Sequence, residues 1–292
     1  MEYSKELKAY GAGISDKETE ALAAQALEAL KGNLNSEVYK TCLGCADITS
    51  LNAADSEASI TELTRKVLDM PRQFPGVPGA ASVCVFPPFI ETVGLAAGDS
   101  GLRITSVAGG FPSSQTFLEV KMLEAAMAVE SGADEIDVVI NVGQILSGEY
   151  EQAASEIEIL AGEVGEDTVL KVILESGELV SAQNIRTAAL LAMMAGADFI
   201  KTSTGRTPVG ATPQAAVTMC LAIKEYSART GRKVGFKVAG GVRTAQDAAL
   251  YYTIVENILG AEWLTPSLFR IGTSSAANSL LGEIVGKEVA YF

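Results

Sequence analysis

Eight short apolar runs punctuate this chain, separated by stretches with helical periodicity, and that alternation leaves few folds open. The runs are Lys40–Asp47, Ala81–Phe86, Arg103–Val107, Glu135–Asn141, Val169–Glu175, Phe199–Thr204, Val234–Ala239 and Phe269–Gly272. Strands alternating with helices form parallel units, because each helix carries the chain back before the next strand begins. Eight such units close a barrel, so the expected fold is α/β, a single (β/α)8 TIM barrel. A length of 292 residues suits it. No linker or low-complexity tract interrupts the pattern, so residues 1–292 are expected to form one domain. Ser15-Asp16-Lys17-Glu18 has the form of a capping box opening a helix to about Leu30. Residues 1–39 are therefore expected to add an extra N-terminal helix packed on the barrel. Gly132-Ala133-Asp134 and Gly196-Ala197-Asp198 repeat before two runs, as a recurring helix-to-strand turn.

Composition narrows the chemistry. The chain has no histidine, which removes Ser-His-Asp and Cys-His catalysis and His-based zinc sites. A net charge of −14 argues against nucleic-acid binding, which needs clustered Lys and Arg. The opening Glu2–Glu6 segment lacks an apolar signal core, and no window approaches the ~18 apolar residues of a membrane span. Four scattered cysteines do not form a secreted disulfide framework. A cytoplasmic protein without membrane contact is expected. Cys42-Leu43-Gly44-Cys45 has redox or metal spacing, but no second pair accompanies it, and in a strand its thiols would face opposite ways.

Alternation within the runs sorts side chains between helices and lumen. If the aliphatic side faces the helices, four consecutive strands point Asp137, Lys171, Lys201 and Lys237 into the barrel. A lysine there is costly unless it is paired, hydrated or deprotonated. Any one of them could sit at a strand end and reach water or a carboxylate. Three against one or two carboxylates leave positive charge uncompensated, which lowers the pKa of the least solvated amine. A lysine needs this to attack a carbonyl near neutral pH.

Ala197–Gly205 (ADFIKTSTG) and Val234–Thr244 (VGFKVAGGVRT) closely resemble the deoxyribose-phosphate aldolase family. So do Ala133–Val139, Leu170–Leu179 and Gly272–Ser275, with weaker matches at Asp47–Leu51 and Cys84–Pro87. The resemblance implies that Lys201 forms a Schiff base, that Lys237 depresses its pKa, and that Asp137 works with a water in proton transfer. Lys171 becomes a structural partner for Asp137 or Glu175, while Asp47 and Thr49 extend the polar network. The implied reaction is reversible cleavage of 2-deoxyribose 5-phosphate to acetaldehyde and glyceraldehyde 3-phosphate. It requires neither metal nor organic cofactor. A homodimer is implied as well.

The barrel reading locates an anion site in the loops after the seventh and eighth strands. Gly240, Gly241, Ser274 and Ser275 are the candidates there, with Gly205 and Arg206 closing the other side. Val238 departs from the proline of the family motif, and Arg206 stands where lysine is frequent. Tyr291 is a candidate for a C-terminal proton-transfer tyrosine, offset by one residue; a loose terminus is the alternative. Two other readings stay open: another lysine-imine enzyme of transaldolase type, and a non-catalytic sugar-phosphate-binding barrel.

Overall fold

A computed structural model describes residues 2–11 and 13–292. Eight parallel strands close into a barrel in chain order. They are β1 (Ala46–Thr49), β2 (Ser82–Val85), β3 (Arg103–Val107), β4 (Glu135–Val139), β5 (Val169–Ile173), β6 (Phe199–Lys201), β7 (Gly235–Ala239) and β8 (Phe269–Thr273). Three helices precede the barrel: α1 (Tyr3–Ala9), α2 (Asp16–Ala29) and α3 (Ser36–Gly44). Around it run α4 (Glu57–Gln73), α5 (Ile90–Ala97), α6 (Leu118–Glu130), α7 (Val142–Ser147), α8 (Tyr150–Val164), α9 (Ser176–Leu179), α10 (Ala182–Met194), α11 (Pro213–Thr230), α12 (Ala245–Leu259) and α13 (Ala276–Val285).

Two sequence expectations need correction. The run Lys40–Asp47 is not a strand but the end of α3, a link, and the start of β1. Asn35 caps α3, and Val38, Tyr39, Cys42 and Leu43 form its buried stripe. A short apolar run does not by itself separate buried helix from strand, and here helical spacing prevails. Cys42 therefore lies on a helix and Cys45 at its C-cap, both buried. The N-terminal extension also holds three helices rather than one. The Ser15–Glu18 capping box forms as expected, and α2 ends at Ala29.

The Gly-Ala-Asp repeats have a physical role. Gly132 and Gly196 take left-handed φ values of 97° and 111° at the turn. Asp134 and Asp198 then accept hydrogen bonds from the backbone N–H groups of Ile104 and Leu170. Each carboxylate thus ties the foot of the incoming strand to its predecessor.

The main core lies between strands and helices, where Ile136, Val138, Val172, Ile200, Phe236, Val238 and Ile271 are buried. The opposite parity fills the lumen. Low in the lumen, the Phe199 ring occupies space that a side chain at Gly235 would need, since a Cβ there would lie 2.3 Å from the ring.

Candidate active site

The alternation places Asp137, Lys171, Lys201 and Lys237 together in the lumen, as their parity requires. Asp137 is the hub. Its Oδ2 accepts from Lys201 Nζ at 2.7 Å and from Lys237 Nζ at 2.8 Å, and its Oδ1 accepts from Lys171 Nζ at 2.9 Å. Register explains the convergence: Asp137 stands beside Lys171, and Lys201 beside Lys237.

The lumen holds two more charges than the sequence reading assembled. Lys171 also pairs with Glu135 at 2.6 Å, and Arg270 bridges Glu135 and Asp47 at 2.5 Å each. Lys237 reaches Asp47 at 2.5 Å. Glu135 and Arg270 carry the same parity signal as the others. Glu135 precedes Asp137 by two residues, and Arg270 alternates with the buried Phe269 and Ile271. Lys171 is indeed paired with Asp137, but its second carboxylate is Glu135, not Glu175. Glu175 points to the next loop, where Thr204 and Thr207 donate to it.

Four buried cations (Lys171, Lys201, Lys237 and Arg270) thus face three buried carboxylates (Asp47, Glu135 and Asp137), leaving one positive charge unmatched. The consequences differ between neighbouring lysines. Burial pushes the Lys201 ammonium below the ordinary lysine value, and Lys237 adds to the shift against the pull of Asp137. Burial also disfavours the charge on Lys237, but Asp137 and Asp47 outweigh it and hold this ammonium above its usual value. Burial would raise the Asp137 carboxyl, yet Lys171, Lys201 and Lys237 keep it well below the carboxylate range. Lys201 therefore gives up a proton more readily than Lys237, beside an ammonium held above its usual pKa and a carboxylate held below its own.

Lys201 also borders a cavity of about 290 Å³ at the C-terminal mouth of the barrel. Gly205, Arg206, Gly240, Gly241, Ser274 and Ser275 all line the same cavity, and Thr49 joins them. Gly240 and Gly241 have φ of 80° and 90°, which expose backbone on the cavity side of a tight turn. Ser275 stands at the N-cap of α13, whose first turn therefore begins at the cavity rim. Arg206 donates to the Leu51 carbonyl, tying the loop after β6 to the loop after β1. Asp47 lies below, in the ionic network, with Thr49 Oγ1 donating to its carbonyl. Asn52, Thr204 and Arg243 also line it and were not among the sequence candidates. Arg243 follows directly on the Gly-Gly turn, which was its available signal.

Tyr291 is not brought to this cavity. Its hydroxyl donates to the Lys66 carbonyl at 2.9 Å, and its ring packs edge-on against Phe74. Asn278 clamps the same tail by bonding the backbone of Tyr291 and Phe292. Cys84 lies in the lumen, where burial pushes its thiol pKa up. Among the described residues, no three Cys, Asp or Glu side chains are arranged to hold a metal ion.

The model of the DeoC/LacD family of aldolases matches residues 43–276. Human deoxyribose-phosphate aldolase is 40% identical over 262 residues, covering 84% of this chain and 81% of that protein. The mouse enzyme is 45% identical over 217 residues, covering 72% and 68%. Among solved structures, deoxyribose phosphate aldolase from Aeropyrum pernix, described as tetrameric, superposes with a TM-score of 0.65 at 28% identity, covering 89% of this chain and 96% of that one. A putative deoxyribose-phosphate aldolase from Toxoplasma gondii gives a TM-score of 0.73 at 24% identity, over 86% and 94%. That likeness bears on the fold alone.

Proposed function

The chain belongs to the DeoC/LacD family of aldolases, and from that premise we propose that it cleaves 2-deoxyribose 5-phosphate reversibly through an imine on Lys201. The observation that carries this reading is the position of Lys201. It has a lowered pKa, touches Asp137, and opens on the mouth cavity. Unprotonated Lys201 Nζ attacks the C1 aldehyde of the open-chain sugar, and loss of water gives a protonated imine. Asp137, through a water, carries protons during the carbinolamine and imine steps. The protonated imine then draws the electrons of the C2–C3 bond as the C3 hydroxyl loses its proton. Glyceraldehyde 3-phosphate leaves, and an enamine remains on Lys201. Protonation at C2 and hydrolysis release acetaldehyde and restore the amine. The imine serves as electron sink, so the steps call for no metal or organic cofactor.

Lys237 keeps the Lys201 amine partly unprotonated, and Lys171, Asp47 and Thr49 hold the network around Asp137. The phosphate occupies the rim formed by Gly205, Arg206, Gly240, Gly241, Ser274 and Ser275, with backbone N–H groups and a helix start as donors. We assign Tyr291 no proton-transfer step, because its hydroxyl is engaged at Lys66. Borohydride reduction in the presence of acetaldehyde, followed by peptide mass mapping, tests the reading. A reduced adduct on Lys201 is expected; no adduct on folded protein would remove it.

Residues 1–292 are taken as one domain working in the cytoplasm, and no helix of the described residues is long and apolar enough to cross a membrane. Assembly as a homodimer is supported by α6. Phe117 at its start and Val120, Leu123 and Met127 along it are exposed, and Leu95 on neighbouring α5 is 88% exposed. Exposed large apolar side chains gathered along one helix mark a candidate protein contact. α6 also exposes Glu119 and Glu130, but α8 exposes Glu151, Gln152, Ser155 and Glu158 with no large apolar side chain among them. Two strongly acidic chains meet most readily where such charge is sparse. Sedimentation should show a dimer that Leu123→Glu dissociates; a dimer unchanged by that substitution would place the contact elsewhere.

A further inference from the structure

We propose that Glu175 is a positioning residue that sets the phosphate-gripping rim, and thereby the preference for a phosphorylated sugar. The inference rests on the rim assignment above and adds a residue outside the cavity lining. Glu175 follows β5 and is buried, with 3% of its surface exposed. Its backbone is left-handed, with φ 53° and ψ 59°. A non-glycine residue holds that conformation only where surrounding contacts over-determine it, and such positions cluster at functional sites. Val180, four residues beyond Ser176, has φ 65°, so two strained residues bracket the short α9.

The contacts of the Glu175 carboxylate all lead to the loop after β6. The four hydrogen bonds of its side chain come from two threonines: Thr204 N–H at 3.3 Å to each oxygen, Thr204 Oγ1 at 2.5 Å, and Thr207 Oγ1 at 3.2 Å. Thr204 Oγ1 in turn accepts from the backbone N–H of Arg206 at 3.0 Å. A relay therefore runs from the Glu175 carboxylate through Thr204 to the turn at Gly205 and Arg206. The far side of that turn is braced as well. A Cβ at Gly210 would lie 2.4 Å from the Gly240 carbonyl oxygen, and Ala211 N–H donates to that oxygen at 2.8 Å. A Cβ at Gly177 would lie 2.3 Å from the Val209 carbonyl oxygen, so the loop after β5 also presses directly on this loop.

A buried carboxylate is normally matched by a cation or left to a catalytic task. Glu175 instead spends its acceptors on hydroxyl and amide donors of one neighbouring loop. Its negative charge sits behind the rim and not in it, so it orders Gly205 and Arg206 without repelling a phosphate at contact distance. A direct role in the imine chemistry would require contact with Lys201 or Asp137, and its hydrogen bonds go elsewhere.

The test separates phosphate grip from chemistry. Inorganic phosphate is titrated calorimetrically into the wild-type protein and Glu175→Ala, while acetaldehyde trapping by borohydride reports on Lys201. Acetaldehyde carries no phosphate. We expect Glu175→Ala to weaken phosphate binding about tenfold or more, and to leave the trapping rate within about twofold of wild type. Glu175→Gln, which keeps an acceptor for Thr204 Oγ1, should recover most of the binding. Should Glu175→Ala fail to fold, Thr207→Val, outside the cavity lining, removes another of the hydrogen bonds to Glu175 and should show the same split in smaller measure. Unchanged phosphate affinity overturns the proposal, as does a parallel fall in binding and trapping. Failure of the wild-type protein to trap acetaldehyde would count against the aldolase chemistry alone, since the phosphate titration still reads Glu175.

Discussion

The lower lumen and the upper lumen of this barrel are built from the same kinds of residue and behave differently. Below, Lys171 lies between Glu135 and Asp137, and Arg270 spans Glu135 and Asp47. Each cation has two carboxylates, no solvent, and a pairing that closes on itself. Above, Lys201 has one carboxylate, which it shares with Lys237, and it looks onto the cavity. A buried amine with two anionic partners is a strut. One with a single shared partner and a cationic neighbour is poised to lose its proton. Number of partners and access to the cavity, not residue type, separate the two roles.

The largest expected effect lies on the upper side. Lys201→Ala should reduce cleavage to background, with the fold kept, because Asp137 retains Lys171 and Lys237 as partners. Turnover near wild type in that variant, measured by release of acetaldehyde, would collapse the distinction between strut and nucleophile.

The mirror experiment is Lys171→Met. Removing a strut leaves Glu135 and Asp137 undercompensated in the interior, a change that costs about 3 kcal/mol. For a chain of this size that lowers the melting temperature by about 5 °C. Borohydride trapping on Lys201 should survive. If activity vanished while the melting temperature stayed put, Lys171 would belong to the chemistry.

Lys237→Leu tests the boundary between the two regions. Burial and the Lys237 charge both hold the Lys201 pKa down, so removing the ammonium raises it. Imine formation needs the unprotonated amine and increases as pH rises through that pKa. The pH–rate profile should therefore move to higher pH, with a loss of about tenfold or more at pH 7. An unshifted profile would show that desolvation alone tunes Lys201.

The smallest effect is a shared one. Asp47, Glu135 and Asp137 all have folded-state pKa values below their ordinary ones, with burial opposing and the neighbouring cations prevailing. Groups of this sign stabilise the fold above the unfolded carboxylate pKa of about 4 and lose that contribution as pH falls toward their folded values. Melting temperature should be nearly level between pH 7 and about 5 and should fall below about pH 4. A curve that stays flat to pH 3 would mean the lower network adds no net stability.

Much of this was legible in the chain. Seven of the eight strands fall within the expected runs or within one residue of them, because buried parallel strands announce themselves as short aliphatic segments. The exception, β1, was masked by α3, whose buried stripe runs almost into it. The lumen residues Asp137, Lys171, Lys201 and Lys237 followed from a period of two. Glu135 and Arg270 obey that period too, but a charge at a strand's start resembles ordinary solvent-facing polarity until the strand's height is known. Tyr291 was suggested by the resemblance to the family's C-terminal tyrosine, and its docking on the Phe74 ring and the Lys66 carbonyl depends on groups more than 200 residues away in sequence. The partners of Glu175 are likewise remote in sequence, Thr204 and Thr207 on the neighbouring loop, and only the closed sheet brings them beside it.

The sequence by itself determined the barrel and the membership of its interior, since side chains alternate along any strand and eight repeated units can bury their faces only by closing. Tertiary structure alone decided which of three inward lysines meets the cavity. Closure offsets each strand against the next, so Lys171 lies level with Phe199, below Lys201; of the two level lysines, Lys237 is held between Asp137 and Asp47 and Lys201 is left facing the cavity. That stagger is a property of the closed sheet, set by hydrogen bonds between segments remote in the chain, and no single segment encodes it.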